Sequence, residues 1–510
     1  MGGGLMQLVA YGAQDIYLTG NPQITYFKVV YRRHTNFAIE AIEQTFNGTT
    51  TFGQTATCTI SRNGDLMYQT FIRINLPSVT PTSEKNFRWV NWLGHVLIKS
   101  MKLEIGGQEI DKHYGDWLHI WNELTQKSGQ QSNYANLVGN VPKLVQPSTS
   151  TKPSLEIYVP LQFYFCRNPG LALPLIALQY HEVKITIVFR SKEECYWTEK
   201  GVDNDIISDF TSSLWVDYIF LDTDERRRFA QASHEYLIEQ VQFSGDESIT
   251  TTSEKINLSL NHPIKELVWV VQKDNHINRT QMQSSGGPQY FNYTDKVDTT
   301  SFTGTPTHPY GGGLGGAAYI GVNPSLAMPY SHGTYTPNTG ALTGSNRNAA
   351  FVLENSGSNN DIDLDNLTFK DLFGNGNTTN AAGWNAELPV FDSGHNPVSS
   401  ARLLLNGQER MVERTGRYFN HLQPYQYHTN GPAVGINVYS FALSPEEHQP
   451  SGTCNFSRID KATLELTLTQ ATVRDENTTP GSTTAKCRIY AVNYNVLRIM
   501  SGMGGLAYAN

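Results

Sequence analysis

The feature that most constrains this chain is a strand and turn that occurs twice, LEIGGQEI at residues 103–110 and LLLNGQER at residues 403–410. The two copies share no catalytic residue, so the unit is repeated for its shape. Glycine permits the positive φ that a tight hairpin turn demands, which marks Gly106, Gly107 and Gln108, and Asn406, Gly407 and Gln408, as equivalent turns. Two further likenesses recur in the same order. DLMYQTFIRINLP near residue 70 matches PIKELVWVVQ near residue 269, both dense in β-branched and aromatic residues. IYVPLQF from Ile157 matches VYSFAL from Val438, and each leads through a proline-containing loop to an alternating strand, HEVKITIVF or DKATLELTL. Three similarities in one order imply a duplicated domain.

Spacing adds an asymmetry. From Ile72 to Gly107 the first copy runs 35 residues, whereas from Trp269 to Gly407 the second runs 138. An insertion of roughly a hundred residues, assigned to 281–395, therefore interrupts the second copy. Its Gly, Asn, Thr, Ser and Pro content predicts elaborated loops rather than another helical domain. The two halves are expected to join near LDTDERRRF, residues 221–229.

Strict alternation in TLELTLT, VKITIV and KLEI predicts strands. The clearest helical stretch is HYGDWLHIWNELTQ, with Trp117, Ile120, Trp121 and Leu124 on one face, expected to pack on a sheet. With 510 residues, 39% apolar content, 43 glycines and 23 prolines, the chain reads as an all-β protein with more than one core. A net charge of -8 argues against a coat for a polyanion, which needs a lysine and arginine excess.

Motifs that resemble chemical sites each miss a requirement. GGGLGG at 311–316 fits G-x-G-x-x-G without a strand before it or a helix after it. DIDLDN from Asp361 has Asn366 where a calcium loop needs glycine and Leu372 where it needs glutamate. HEVKI at His181 and HEYLI at His234 lack the second histidine of a zinc motif. Cys58, Cys166, Cys195, Cys454 and Cys487 are scattered and odd in number, as expected for buried thiols in a reducing compartment. The start lacks a basic region followed by a long apolar run, so a soluble, cytosolic chain is expected. RRH at 32–34 and RRR at 226–228 are expected in surface or intersubunit ion pairs. Asn278, Asn292, Asn366 and Asn377 are sequons, as are Asn47, Asn257, Asn455 and Asn477.

Long blocks carry a family resemblance. LVAYGAQDIYLTGNPQITYFKVVYRRHTNF (8–37), GGQEIDKHYGDW (106–117), PGLALPLIALQYHEVK (169–184), WVDYIFLDTDERRRFA (215–230), QPSGTCNFSRID (449–460) and NYNVLRIMSGMGGLAYAN (493–510) resemble major capsid proteins of nucleocytoplasmic large DNA viruses, notably the algal chlorovirus type. The resemblance implies a tandem double jelly roll, two eight-stranded antiparallel sandwiches, assembling as a trimeric, near-hexagonal capsomer of an icosahedral shell. It implies no enzyme activity, no cofactor and no sequence-specific nucleic-acid contact. The expected divisions are an N-terminal arm over 1–25, a first roll over 26–222, and a second over 223–510 carrying the 281–395 loops as an outward tower.

By position, residues 1–20 resemble the family's arm at the base of the shell, with Leu8, Tyr11, Asp15, Tyr17 and Leu18 contacting neighbours. Implied partners are further copies of the chain, minor capsid and penton proteins, and indirectly an internal membrane. The implied location is the virion, after synthesis and assembly in the host cytoplasm. Two other classes fit the composition: a sandwich-fold lectin or attachment protein using the 281–395 loops, and a carbohydrate enzyme with paired carboxylates.

Overall fold

The computed structural model describes residues 3–81, 85–199, 206–297, 395–474 and 483–508. Among the described residues, sixteen longer strands form two sets of eight, alongside short strands such as Phe87–Trp89, Tyr196–Thr198 and Met503–Leu506. The first set is β1 (Phe37–Gln44), β2 (Thr55–Thr59), β3 (Leu66–Leu76), β4 (Ile98–Ile105), β5 (Gln108–Tyr114), β6 (Leu155–Pro160), β7 (Val183–Phe189) and β8 (Thr211–Leu221). The second is β9 (His234–Ile249), β10 (Ser253–Leu258), β11 (Pro263–Lys273), β12 (Val398–Leu405), β13 (Gln408–Thr415), β14 (Ile436–Ser440), β15 (Ala462–Leu468) and β16 (Ala485–Met500).

The first set pairs in the orders β1-β8-β3-β6 and β2-β7-β4-β5, and the second repeats them as β9-β16-β11-β14 and β10-β15-β12-β13. All these pairings are antiparallel. Two facing four-stranded sheets with these crossovers make a jelly roll, so the chain is a tandem double jelly roll.

The repeated turn closes both β4–β5 and β12–β13. Ile105 pairs with Gln108 and Leu405 with Gln408, leaving two-residue loops. Gly106 and Gly107 have φ of 58° and 83°, and Asn406 and Gly407 have 50° and 79°. Positive φ at both central positions suits the right-handed twist of the flanking strands, and Gly-Gly or Asn-Gly supplies it with little strain. Both hairpins then carry an extra residue at the same place, and β12–β13 shifts register once more between Ala401 and Leu403. Leu103 pairs with Asp111 while Glu104 pairs with Glu109, leaving Ile110 over, and Leu403 pairs with Met411 while Leu404 pairs with Glu409, leaving Arg410 over.

Alternation explains the cores. Along β7 every second residue from Val183 to Phe189 is buried, so one face enters the first roll and the other stays partly wet. Along β11 every residue after Pro263 is buried. There Leu267, Trp269 and Val271 fill the second roll, whereas Val268 and Val270 join the first roll's core. Around β11 the sheet β9-β16-β11-β14 is thus covered on both faces, one of them by the first roll.

The first roll meets this sheet with the end of β5 and helix α1 (Gly115–Thr125). Trp117 packs on Tyr490 at 5.4 Å, and Tyr114 on Phe243 at 4.9 Å, between ring centres. The sequence predicts one buried face for this helix; all residues from Gly115 to Leu124 are buried, because α1 lies between the two rolls. Polar contacts fix the docking. Arg488 donates to Asp116 at 2.5 Å, and the Val241 amide donates to Asp111 at 3.1 Å. Glu239 accepts from Arg167 of the first roll at 3.1 Å and from Lys265 at 2.8 Å. Burial works against that carboxylate, but His448, Arg167 and Lys265 outweigh it and hold Glu239 down at about 2.

A second clamp follows helix α2 (Gln423–Tyr427), which continues a π-helical turn over Tyr418–Leu422. His428 lies with Nε2 2.9 Å from Glu266 and Nδ1 3.0 Å from Glu446. Two residues on, the Asn430 side chain donates to the Glu123 carbonyl at 3.0 Å, and the Ala433 amide donates to the Glu123 carboxylate at 3.2 Å. Burial disfavours the imidazolium, yet Glu266 and Glu446 together lift His428 to about 9. The linker between the rolls is a helix, Thr223–Gln231, capped by Asp222 and tied back by Arg226, 2.7 Å from Asp65.

The first part of the expected insertion is irregular backbone, as expected of loops, but it is packed into the body instead of projecting from it. Tyr290, Phe291 and Tyr293 are buried where the rolls meet, and the Trp197 indole donates to the Gln283 carbonyl at 3.0 Å. Residues 298–394 lie outside the described residues, and with them GGGLGG, DIDLDN and most of the expected tower.

A Cβ at Gly407 meets nothing within 4 Å, so Gly407→Ala should cost only the left-handed strain, about 1–2 kcal/mol of stability. Gly106→Ala should lower the apparent melting temperature further, because its Cβ runs into the His181 ring. The His428 contribution is complete below the unfolded pKa of about 6.5 and is lost as pH rises through about 9. Thermal melts should therefore fall across that window, and His428→Gln should flatten the fall and destabilise by about 3–5 kcal/mol at pH 6 by stranding Glu266.

Candidate assembly surfaces

The repeated turns prove to be closures held by their own surroundings. The Gly106 amide donates to the Glu182 carbonyl at 2.9 Å, and the Asn406 amide donates to the Lys461 carbonyl at 2.7 Å. Gln108 accepts from the Leu506 amide at 3.2 Å, so the first turn also anchors the C-terminal strand Met503–Leu506. Gln408 is exposed. Nothing at either turn is arranged for chemistry.

Among the described residues, the N-terminal segment exposes many large apolar side chains. Every residue from 3 to 36 is exposed except Asp15, which is half-buried. The segment forms short helices, Gly3–Val9 and Ile16–Thr19, and Asp15 accepts from the Gly12 amide at 2.7 Å ahead of the second. Leu8, Tyr11, Tyr17 and Leu18 are 79%, 65%, 90% and 84% exposed, and Tyr26 and Phe27 are more than four-fifths exposed. Large apolar side chains left exposed along one segment are the kind of surface that partners cover.

The sequons separate by environment. Asn278 is exposed at the end of the short helix Asp274–Ile277, and its side-chain oxygen accepts from the Thr280 amide at 3.0 Å. Asn292 is buried, and its amide nitrogen donates to Gln289 at 2.7 Å and to the Lys296 carbonyl at 3.0 Å. That nitrogen is engaged inside the fold, which removes Asn292 as an acceptor on the folded protein. Asn366 and Asn377 lie outside the described residues.

Two of the five thiols, Cys58 and Cys166, are pushed up by burial to about 11 and 12, and Cys195 and Cys487 rise for the same reason. The Cys454 thiol is raised by partial burial. His181 contacts the Gly504 carbonyl at 2.9 Å and His234 contacts the Phe229 carbonyl at 2.8 Å, so both serve as strand-border links.

Sequence reasoning missed two open surfaces. The first is the outer face of β1-β8-β3-β6. There Phe71 stacks on Trp215 at 6.4 Å and meets Tyr158 edge-on at 5.7 Å, with Arg73 over the Trp215 ring at 6.0 Å. Arg73 also donates to Glu156 at 2.7 Å and lies 3.8 Å from Glu43. The signal was present: Phe71 shares its parity with Arg73 and Asn75, opposite the core residues Ile72 and Ile74. The second surface is the flank of the second roll, where Val412, Leu422 and Tyr425 are 57%, 43% and 84% exposed beside Arg414, Arg417 and His421.

Comparison with known proteins places this chain in a family. Residues 25–222 match the family described as major capsid protein N-terminus, and residues 225–505 match large eukaryotic DNA virus major capsid protein. The chain is 49% identical to the major capsid protein of Phaeocystis pouchetii virus and 40% identical to that of Paramecium bursaria Chlorella virus 1, each over the whole of both chains. Among solved structures it is similar to the chain in a quasi-atomic model of the PBCV-1 virus capsid, with TM-score 0.64 and 36% identity over 95% of this chain and all of that one. Faustovirus major capsid protein, 12% identical with TM-score 0.64, shares the fold. Two rolls with these strand orders, matched end to end by family and by relatives, place this chain among the major capsid proteins of large eukaryotic DNA viruses.

Proposed function

We propose that the protein self-assembles as a trimeric, pseudo-hexagonal capsomer that tiles an icosahedral shell around a large double-stranded DNA genome. The observation that carries this reading is the locking of the two rolls into one body by the shared sheet β9-β16-β11-β14. Two similar rolls per chain, taken three times about an axis, present six similar units, and a near-hexagonal block has six neighbours in a lattice. A shell tile must hold its angles, and a jointed pair of domains would not. Minor capsid and penton proteins would complete the shell, an internal membrane would lie beneath it, and assembly would take place in the host cytoplasm.

The exposed segment 3–36 suits an arm that orders against other proteins at the shell base, since its apolar side chains have no partner on their own body. The net charge of -8 fits a shell that does not itself coat the genome.

Light scattering on the purified protein should give about three times the chain mass of 56.9 kDa. A protein that stays monomeric at all concentrations would count against the capsomer. Deleting residues 1–20 should leave melting temperature and trimer mass unchanged but reduce closed shells seen by electron microscopy. Normal shell yield from that variant would remove the arm from assembly.

A further inference from the structure

We propose that the buried cluster of Trp92, His95, His119 and Phe291 is an acid-operated catch, which holds the segment 281–297 between the two rolls at neutral pH and releases it on acidification. The proposal does not depend on the trimeric reading, because every part of the catch lies within one chain.

The catch draws on both halves of the chain. His95 sits on the short helix Leu93–Leu97 and His119 on α1, and both are fully buried. Their rings lie 5.8 Å apart. Phe291, from the irregular backbone after β11, packs on both, stacked on His119 at 4.2 Å and edge-on to His95 at 6.1 Å. Trp92 stacks on His95 at 5.7 Å and meets His119 edge-on at 5.0 Å. The same segment also grips the first roll through polar contacts: Arg88 donates to the Gly286 carbonyl at 2.7 Å, and Gln283 donates to the Thr198 carbonyl at 2.8 Å.

Two features go beyond packing. Trp92 has φ 55° and ψ 45°, a left-handed conformation that a bulky residue adopts only under strain, and its amide is held there by Asn140 at 3.2 Å. Neither ring nitrogen of His119 makes a hydrogen bond among the described residues. Such an imidazole gives a core nothing that phenylalanine would not give at lower cost.

The groups around the pair favour neutral rings. The Tyr134 hydroxyl lies 2.8 Å from His95 Nε2. Glu123, one turn along α1, is 4.0 Å from His119 Nε2, too far for a hydrogen bond, and its carboxylate accepts from the Ala433 amide at 3.2 Å. Asp116, on the same helix, is taken by Arg488 at 2.5 Å and Arg190 at 3.9 Å. His276 touches the segment from the second roll, with Nδ1 3.2 Å from the Asn292 carbonyl. Ring faces attract a cation, but less than the water it would give up. Burial therefore holds His95 down at about 3 and His119 well below its ordinary value, with His95 further opposing a charge on His119.

Both folded values lie below the unfolded value of about 6.5, so this stability is complete above that pH and is lost as pH falls. The other clamps do not mask the loss. The His428 contribution is already complete below about 6.5, and Glu239, held at about 2, keeps its charge. Each histidine shifts the balance towards the open state tenfold per pH unit, or about 30-fold by pH 5.

Hydrogen exchange of peptides spanning 281–297 in the full chain reads the catch. Corrected for intrinsic exchange, their opening should rise by about 1000-fold between pH 7 and 5, the product of the two histidines. His95→Gln keeps a polar partner for Tyr134, and His119→Phe keeps the stack on Phe291; each should remove about 30-fold of that rise. If both variants keep the full rise, or the wild type shows none, the catch is overturned. Where a variant does not fold, the wild-type profile decides: opening that begins only as carboxylates protonate, near about pH 4, overturns the catch as well.

Discussion

The molecule depends on one sheet, β9-β16-β11-β14, whose centre is buried on both faces. A jelly-roll sheet ordinarily buries one side and shows the other to solvent or to a partner. Here the residues of β11 face alternately into two cores, Trp269 into its own roll and Val268 and Val270 into the junction. Hydrophobic burial is non-directional, so it alone would let the rolls slide. Direction comes from the charged contacts set into that junction, Arg488 with Asp116 and Glu239 with Arg167, each of which joins the first roll to the second. Breaking either deprives a buried charge of one of its partners, which makes a small displacement of the rolls costly.

Duplication has been used unequally. The hairpins remain alike down to the position of the extra residue, since a two-residue loop and a bulge set the register of the strands beside them. The surfaces have diverged according to what covers them. Val268 and Tyr490 are sealed within the chain, whereas Phe71 and Trp215 at the matching places stay half-buried among charges. The flanks differ likewise: buried Trp117 and Asp116 on α1, exposed Arg417 and Tyr425 beside α2.

Much of this architecture was legible in the residues. Gly106-Gly107 and Asn406-Gly407 announce tight hairpins because few other residues accept positive φ at both positions, and VKITIV and TLELTL announce strands because their period is two. These are local rules, and three such matches in one order were enough to expose the duplication. The jelly-roll topology came instead from the long blocks shared with the capsid family, and the strand orders of both rolls agree with it.

What the sequence determined by itself is thus the set of strands, their turns and their repetition, all of which depend on residues within a few positions of one another. The tertiary structure alone decided which faces meet. It brought His428 against Glu266 and Arg488 against Asp116, pairs separated by 162 and 372 positions. It also buried Asn292 and made residues 281–297 part of the body rather than of a tower, and it enclosed α1 on every side. Those outcomes follow from packing between surfaces distant in the chain. Alternation shows that a residue faces a core but carries no mark of whose core it is.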